Sequence, residues 1–96
     1  MAENEIHIPK RLAASAAVSA NPTKVSAVVL TAGSDATSIV LTNDADGSGT
    51  AVLTIKATTA VGTNVATFPK GLNFSTACYA TITGTTPEAT IVYSDN

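Results

Sequence analysis

VSAVVLTAGSDATSIVLTNDADGSGTAVLTIKA, residues Val25 to Ala57, is the stretch whose reading decides the fold. It holds three short runs rich in Val, Ile, Leu and Thr, at 25–31, 38–42 and 50–57. Between them lie Ala32-Gly33-Ser34-Asp35 and Asn43-Asp44-Ala45-Asp46-Gly47-Ser48-Gly49. β-Branched side chains fit a pleated surface, whereas Gly, Asn and Asp supply the backbone angles of turns. In the third run Ala51, Leu53 and Ile55 alternate with Val52, Thr54 and Lys56, the period-two pattern of a strand with one wet face. The stretch therefore reads as strand, turn, strand, hairpin loop, strand.

Toward the C-terminus the rhythm continues. Thr63–Phe68 reads as a strand, Pro69-Lys70-Gly71 as a kink before Leu72 and Phe74, Ala77–Thr83 as a strand, Gly84-Thr85-Thr86-Pro87 as a turn, and Glu88–Tyr93 as the last strand. Short strands with turn signals every 8–12 residues predict an all-β fold, a small antiparallel β-sandwich or jelly-roll-like barrel. Phe68–Gly84 contains both phenylalanines, one of the two tyrosines and the only cysteine, so the core is expected to concentrate there.

Toward the N-terminus the pattern weakens. Residues 1–20 are assigned to an extended N-terminal arm and 21–96 to the sandwich domain, with the break at Asn21-Pro22. Residues 11–20 are alanine-rich but lack an N-cap and a consistent apolar helical stripe, while Leu12, Ala14, Ala16 and Val18 alternate with Ala13, Ser15, Ala17 and Ser19, so they read as a strand with one small-residue face. Ile6 and Ile8 flank His7 just before Pro9. An arm of this kind is either disordered or laid on a neighbour, where its isoleucines would leave water. Ile6, Ile8 and Leu12 are accordingly interface candidates.

Composition limits what such a domain can do. A chain of 96 residues buries only about 60% of the surface its unfolded form exposes, and much of the 45% hydrophobic content is alanine, with aromatics at 4% and no Trp. Small domains with thin cores usually rely on disulfides, metal or oligomerisation. A single Cys excludes an intrachain disulfide and no metal-ligand cluster is visible in the sequence, so a homo-oligomer, with a trimer as the working assumption, or attachment to a larger body is expected. The net charge of −2 and the lack of a basic stripe argue against nucleic acid as a partner. No apolar run reaches the roughly 18 residues of a membrane span, and the acidic start lacks a signal-peptide pattern, so use without secretion is expected.

Chemistry-bearing residues all favour plain structural roles. Asp44-Ala45-Asp46-Gly47 begins like a calcium loop, yet position twelve counted from Asp44 is Ile55 where an EF-hand needs Glu, so a hairpin loop is the better reading. Cys78 lies in a Tyr/Ala/Ile run far in sequence from His7, the only histidine, and reads as a small core residue, not a nucleophile. Asp35, Asp44, Asp46 and Glu88 fall in predicted turns as solvated carboxylates. No catalytic residues, cofactor or metal are expected, and the chain reads as no enzyme. Tyr79 and Tyr93 read as edge tyrosines, available as interface anchors or as a sugar platform.

Phe68-Pro-Lys-Gly-Leu-Asn-Phe74, Cys78-Tyr-Ala-Thr-Ile-Thr-Gly-Thr-Thr-Pro87 and the terminal Ala89-Thr-Ile-Val-Tyr93 resemble small structural proteins of tailed bacteriophages. The upstream Val28–Asp35 segment extends the similarity over about residues 24–94, leaving the N-terminal arm outside it. Members of that group more often carry Gly where this chain has Cys78. The resemblance implies a virion component without catalytic residues: a capsid decoration or cement protein made in the host cytoplasm, sited on the capsid surface and partnered by the major capsid protein. The alternative is a tail or surface module that recognises host glycan through Tyr79, Tyr93 and the Asp44–Thr50 loop.

Overall fold

Among the described residues six strands form where the Val/Ile/Thr runs predict them, and two more at the N-terminus bring the total to eight. The computed structural model describes residues 7–58, 62–85 and 87–95. The strands are β1 (Ile8–Leu12), β2 (Ala16–Ser19), β3 (Thr23–Thr31), β4 (Thr37–Thr42), β5 (Ala51–Ala57), β6 (Thr63–Phe74), β7 (Cys78–Thr83) and β8 (Glu88–Asp95). They make two four-stranded antiparallel sheets, a first of order β1-β8-β3-β6 and a second of order β2-β7-β4-β5. Strands 1 to 4 pair in turn with 8 down to 5, as if one long hairpin had been rolled up with alternate pairs falling into alternate sheets. That order is the jelly roll, a double-sheet arrangement of Greek keys.

The core lies between the sheets. The first contributes Leu12, Val25, Val28, Leu30, Phe74, Ala89 and Ile91; the second contributes Val18, Ile39, Leu41, Ile55, Ala57, Cys78, Ala80 and Ile82. Each large side chain among them adds about 1.5–3 kcal/mol of burial. The core is therefore spread over both sheets, and only Phe74 of the two phenylalanines belongs to it. Phe68 sits on a bulge, half-exposed.

That bulge has a partner on β3. The register of β3 slips between Val25 and Ala27 opposite both neighbours, and against β8 Ser26 is the extra residue. A one-residue slip exchanges the faces of a strand. Thr23 and Val25 point inward before it and Val28 and Leu30 after it, which explains two buried pairs that strict alternation would put on opposite faces. On β6 the same slip is met by the four residues Phe68–Gly71, since Val25 pairs with Leu72 and Ala27 with Thr67. Gly71 closes this bulge at φ 81°, with the aliphatic stem of Lys24 lying where a Cβ would stand.

Residues 8–19, expected in the arm, instead supply one edge strand to each sheet. The reason is a corner at Ala13–Ser15 that carries the chain from the first sheet to the second. Ser15 Oγ accepts from the Ile82 backbone N–H at 2.8 Å and donates to the Ile82 carbonyl, standing in for a ladder pair at the crossing. Leu12 reaches the core because the corner comes after it. Buried hydroxyls are satisfied locally: Thr23 Oγ1 donates to the Asn21 carbonyl at 2.6 Å and Thr42 Oγ1 to Asp44 Oδ1 at 2.8 Å.

Candidate functional site

The outer face of the first sheet follows from the ladder registers. Its rows are Pro9, Val92, Ala27 and Thr67; then Arg11, Thr90, Val29 and Val65; then Glu88, Thr31 and Thr63. Two contacts confirm that these side chains share a face: Arg11 pairs with Glu88, and the hydroxyls of Thr31 and Thr63 meet at 3.3 Å. Apart from that ion pair these three rows are Val, Thr, Ala and Pro; past the Ser26 bulge the same side carries Lys24, Asn73 and Ser94. Val65 is 54% exposed, a large figure for a valine on a regular strand. A surface of this composition is weakly hydrated yet not greasy, as each Thr offers a methyl beside its hydroxyl.

The second sheet is covered at one end. Its outer rows are Ala17, Tyr79, Thr42 and Ala51; then Thr81, Val40 and Thr54; then Thr83, Ser38 and Lys56. The β4–β5 hairpin loop folds back over the first of these rows. A Cβ on Gly47 would lie 2.8 Å from Tyr79 Cδ1, and Thr42, although outward-facing, is only 3% exposed.

Asp44 holds this loop in place. Its carboxylate accepts from Thr42 Oγ1 at 2.8 Å, the Gly47 N–H at 2.9 Å, Ser48 Oγ at 3.4 Å and the Gly49 N–H. Partial burial pushes the Asp44 carboxyl up, and those four hydrogen bonds outweigh it, leaving it below its ordinary 3.8. Asp46 Oδ1 accepts from the backbone N–H and hydroxyl of Ser48. The Asp-x-Asp-Gly motif thus builds a hairpin loop, as its length predicts. Asn43 ties the loop to its neighbour, accepting from the Thr76 N–H at 2.9 Å and donating to Ser75 Oγ. At the opposite end Asp35 plays a matching part, accepting from the Thr85 N–H at 2.6 Å and from its hydroxyl.

The five interface candidates fall in three kinds of place. Ile6 lies outside the described residues. Ile8 and Tyr93 are paired neighbours on the inner side of the first sheet, half-buried, and Leu12 on the same side is 8% exposed. Tyr79 faces outward, because Cys78, Ala80 and Ile82 fill the core, but the loop lies on its ring. The two tyrosines occupy different sheets, so only Tyr79 sits with the Asp44–Thr50 loop.

Cys78 is fully buried, and that burial pushes its thiol up to about 12, which keeps it protonated and unreactive at neutral pH. His7 lies beside the other sheet, its Nδ1 3.3 Å from Ser26 Oγ. A shallow depression of about 230 Å³ on the second sheet is lined by Thr37, Ser38, Lys56, Ala57 and Thr83, with Lys56 its one ionisable group. Among the described residues no group of three or more His, Cys, Asp or Glu side chains is placed to hold a metal ion, and no helix is long and apolar enough to cross a membrane.

Sequence reasoning did not single out the outer face of the first sheet. The missing signal was the Ser26-Ala27 pair of small residues, which marks the bulge and decides which valines of β3 turn outward. No known protein family, curated protein or solved structure matches the chain.

Proposed function

We propose that this chain is a virion structural protein, a capsid decoration or cement subunit that lies across joints between major capsid subunits and stabilises the shell. The observation that carries the reading is the three rows of the first sheet's outer face from Pro9 to Thr63, where the Arg11–Glu88 ion pair stands amid Val, Thr, Ala and Pro. Such a face loses little hydration when covered and suits broad, flat contact with protein. The resemblance of Phe68–Phe74 and Cys78–Pro87 to phage structural proteins supports the same reading, and the jelly roll is an architecture used in viral capsids, an analogy at the level of fold. Each copy adds a modest contact, and repetition over a shell multiplies it. The domain itself carries the contact, since residues 8–19 are built into the sheets.

Particles stripped of the protein are expected to burst at a lower temperature than complete ones, and re-addition of the purified chain restores the loss. Equal survival of stripped particles, or binding confined to tails and abolished by Tyr79→Ala, would transfer the protein to the glycan-recognition class.

A further inference from the structure

Four strands lie at sheet edges: β1 and β6 in the first sheet, β2 and β5 in the second. Exposed edges invite pairing with other chains, and proteins blunt them with proline, charge, bulges or short length. β1 carries Pro9, which has no N–H, with Lys10 on its inward-facing side and Arg11 beside it. β2 has four residues and a register slip. β5 is bulged at Val52 and carries Lys56. Phe68–Gly71 bulges the later part of β6, but Thr63-Asn64-Val65-Ala66-Thr67 has no proline, charge or irregularity in its ladder.

We infer that this edge is a self-association site, at which β6 of two copies pairs antiparallel about a two-fold axis through Val65. The sequence is close to palindromic about that residue. Antiparallel pairing sets Val65 against Val65 of the second copy and Thr63 against its Thr67 on the outer face, with Asn64 against Ala66 on the inner face. Val–Val and Thr–Thr are favourable cross-strand pairs, and no like charges are opposed. On the inner side Asn64 donates its amide to the Lys56 carbonyl at 2.9 Å and bridges the flank between the sheets, so its side chain is already held out of the cross-strand row.

Pairing β6 with a different edge strand would give rings or open chains, but Pro9, the short β2 and the bulged β5 guard the other edges. The proposed contact is therefore two-fold, where the working assumption from the sequence was a trimer. It joins two first sheets into one of eight strands and doubles their outer face. A five-residue ladder is about 17 Å long, far below a standard interface, so the dimer exchanges rapidly in solution. This inference stands apart from the shell reading and survives if the protein proves to act elsewhere.

Trapping tests it. Opposed residues of antiparallel strands have Cα atoms about 4.5–5.5 Å apart, within the range a disulfide spans. Under mild oxidation the Val65→Cys protein is expected to form a disulfide-linked dimer about tenfold or more faster than the Val52→Cys protein, whose cysteine is comparably exposed on β5. Cys78, fully buried, stays out of the reaction. Val65→Lys, which opposes two like charges, removes the concentration-dependent rise in sedimentation rate of the native protein, whereas Val52→Lys leaves it. Equal cross-linking at positions 65 and 52 overturns the inference, even if Val65→Lys should fail to fold.

Discussion

One face of this sandwich is bare and the other is roofed. Both sheets share a core, but the outer face of β1-β8-β3-β6 presents Ala27, Val29, Val65 and Val92 among threonines, while one end of β2-β7-β4-β5 lies under the Asp44–Gly49 loop. The difference shows how a domain poor in aromatics places them. Where Tyr79 turns outward, a loop of Gly, Ser and Asp is folded onto its ring by the Asp44 carboxylate; where Val29 and Val65 turn outward among threonines, no loop among the described residues is seen to cover them. A roofed face is finished within the molecule. A bare one, rimmed by an unguarded edge strand, is the half that another protein can complete.

The most severe way to break the contrast is through what the sheets share. Phe74, on β6 and fully buried, fills the space between them. Phe74→Ala removes that side chain and leaves a cavity, with an expected loss of about 3–5 kcal/mol, a large part of the roughly 5–15 kcal/mol stability of a domain. Urea melts followed at Tyr79 and Tyr93, which report separately on the second and first sheets, should shift together. If the first sheet loosened alone, the two faces would belong to independent units.

A smaller effect removes the roof only. Gly47 has φ 84°, and a Cβ there would collide with Tyr79. Gly47→Ala is expected to cost about 1–3 kcal/mol through left-handed strain and displacement of the loop. Acrylamide should then quench Tyr79 emission more strongly, with Tyr93 as the unaltered reference in a Tyr79→Phe control. Unchanged quenching would mean that the loop does not shield the ring.

Much of this architecture was legible in the sequence, for reasons that can be traced to residues. The six strands from Val25 onward were readable because Thr, Val and Ile alternate between Gly- and Asp-rich turns, and the Pro69-Lys70-Gly71 kink was readable from its proline. Residues 11–20 were read as one strand within the arm; that they divide between β1 and β2 was obscured because alanine fits helix, strand and arm alike, and because the corner at Ala13–Ser15 has no Gly or Pro to announce it. The core was placed too far toward Phe68–Gly84, since counting large side chains overlooks that Val28, Leu30, Ile39 and Leu41, all fully buried, do as much as the aromatics. Which valines face outward depends on the Ser26 bulge, and a bulge is fixed by both neighbouring strands at once, which no local pattern encodes.

The mildest test separates the faces by charge. Asp44 is ionised in the native loop, and its hydrogen bonds hold its carboxyl below the ordinary 3.8. A group whose folded value is lowered adds stability at pH above the unfolded value and loses it as pH falls through the folded one. The loop is therefore fully held at neutral pH and relaxes only in acid below about 3.8. Asp44→Asn imitates the protonated state at neutral pH, since one oxygen remains to accept where two accepted before. Amide exchange at Gly47 and Gly49, corrected for intrinsic rate, should accelerate in this variant, while Val28 and Val29 in the first sheet stay protected as in the native protein. Because Asp44 lies at the surface, the melting temperature should barely move, so a marked fall would show that the roof supports the core instead of only covering Tyr79. An acceleration confined to the loop would show that the Asp44 carboxylate holds the cover of the second face without drawing on the packing of the first sheet.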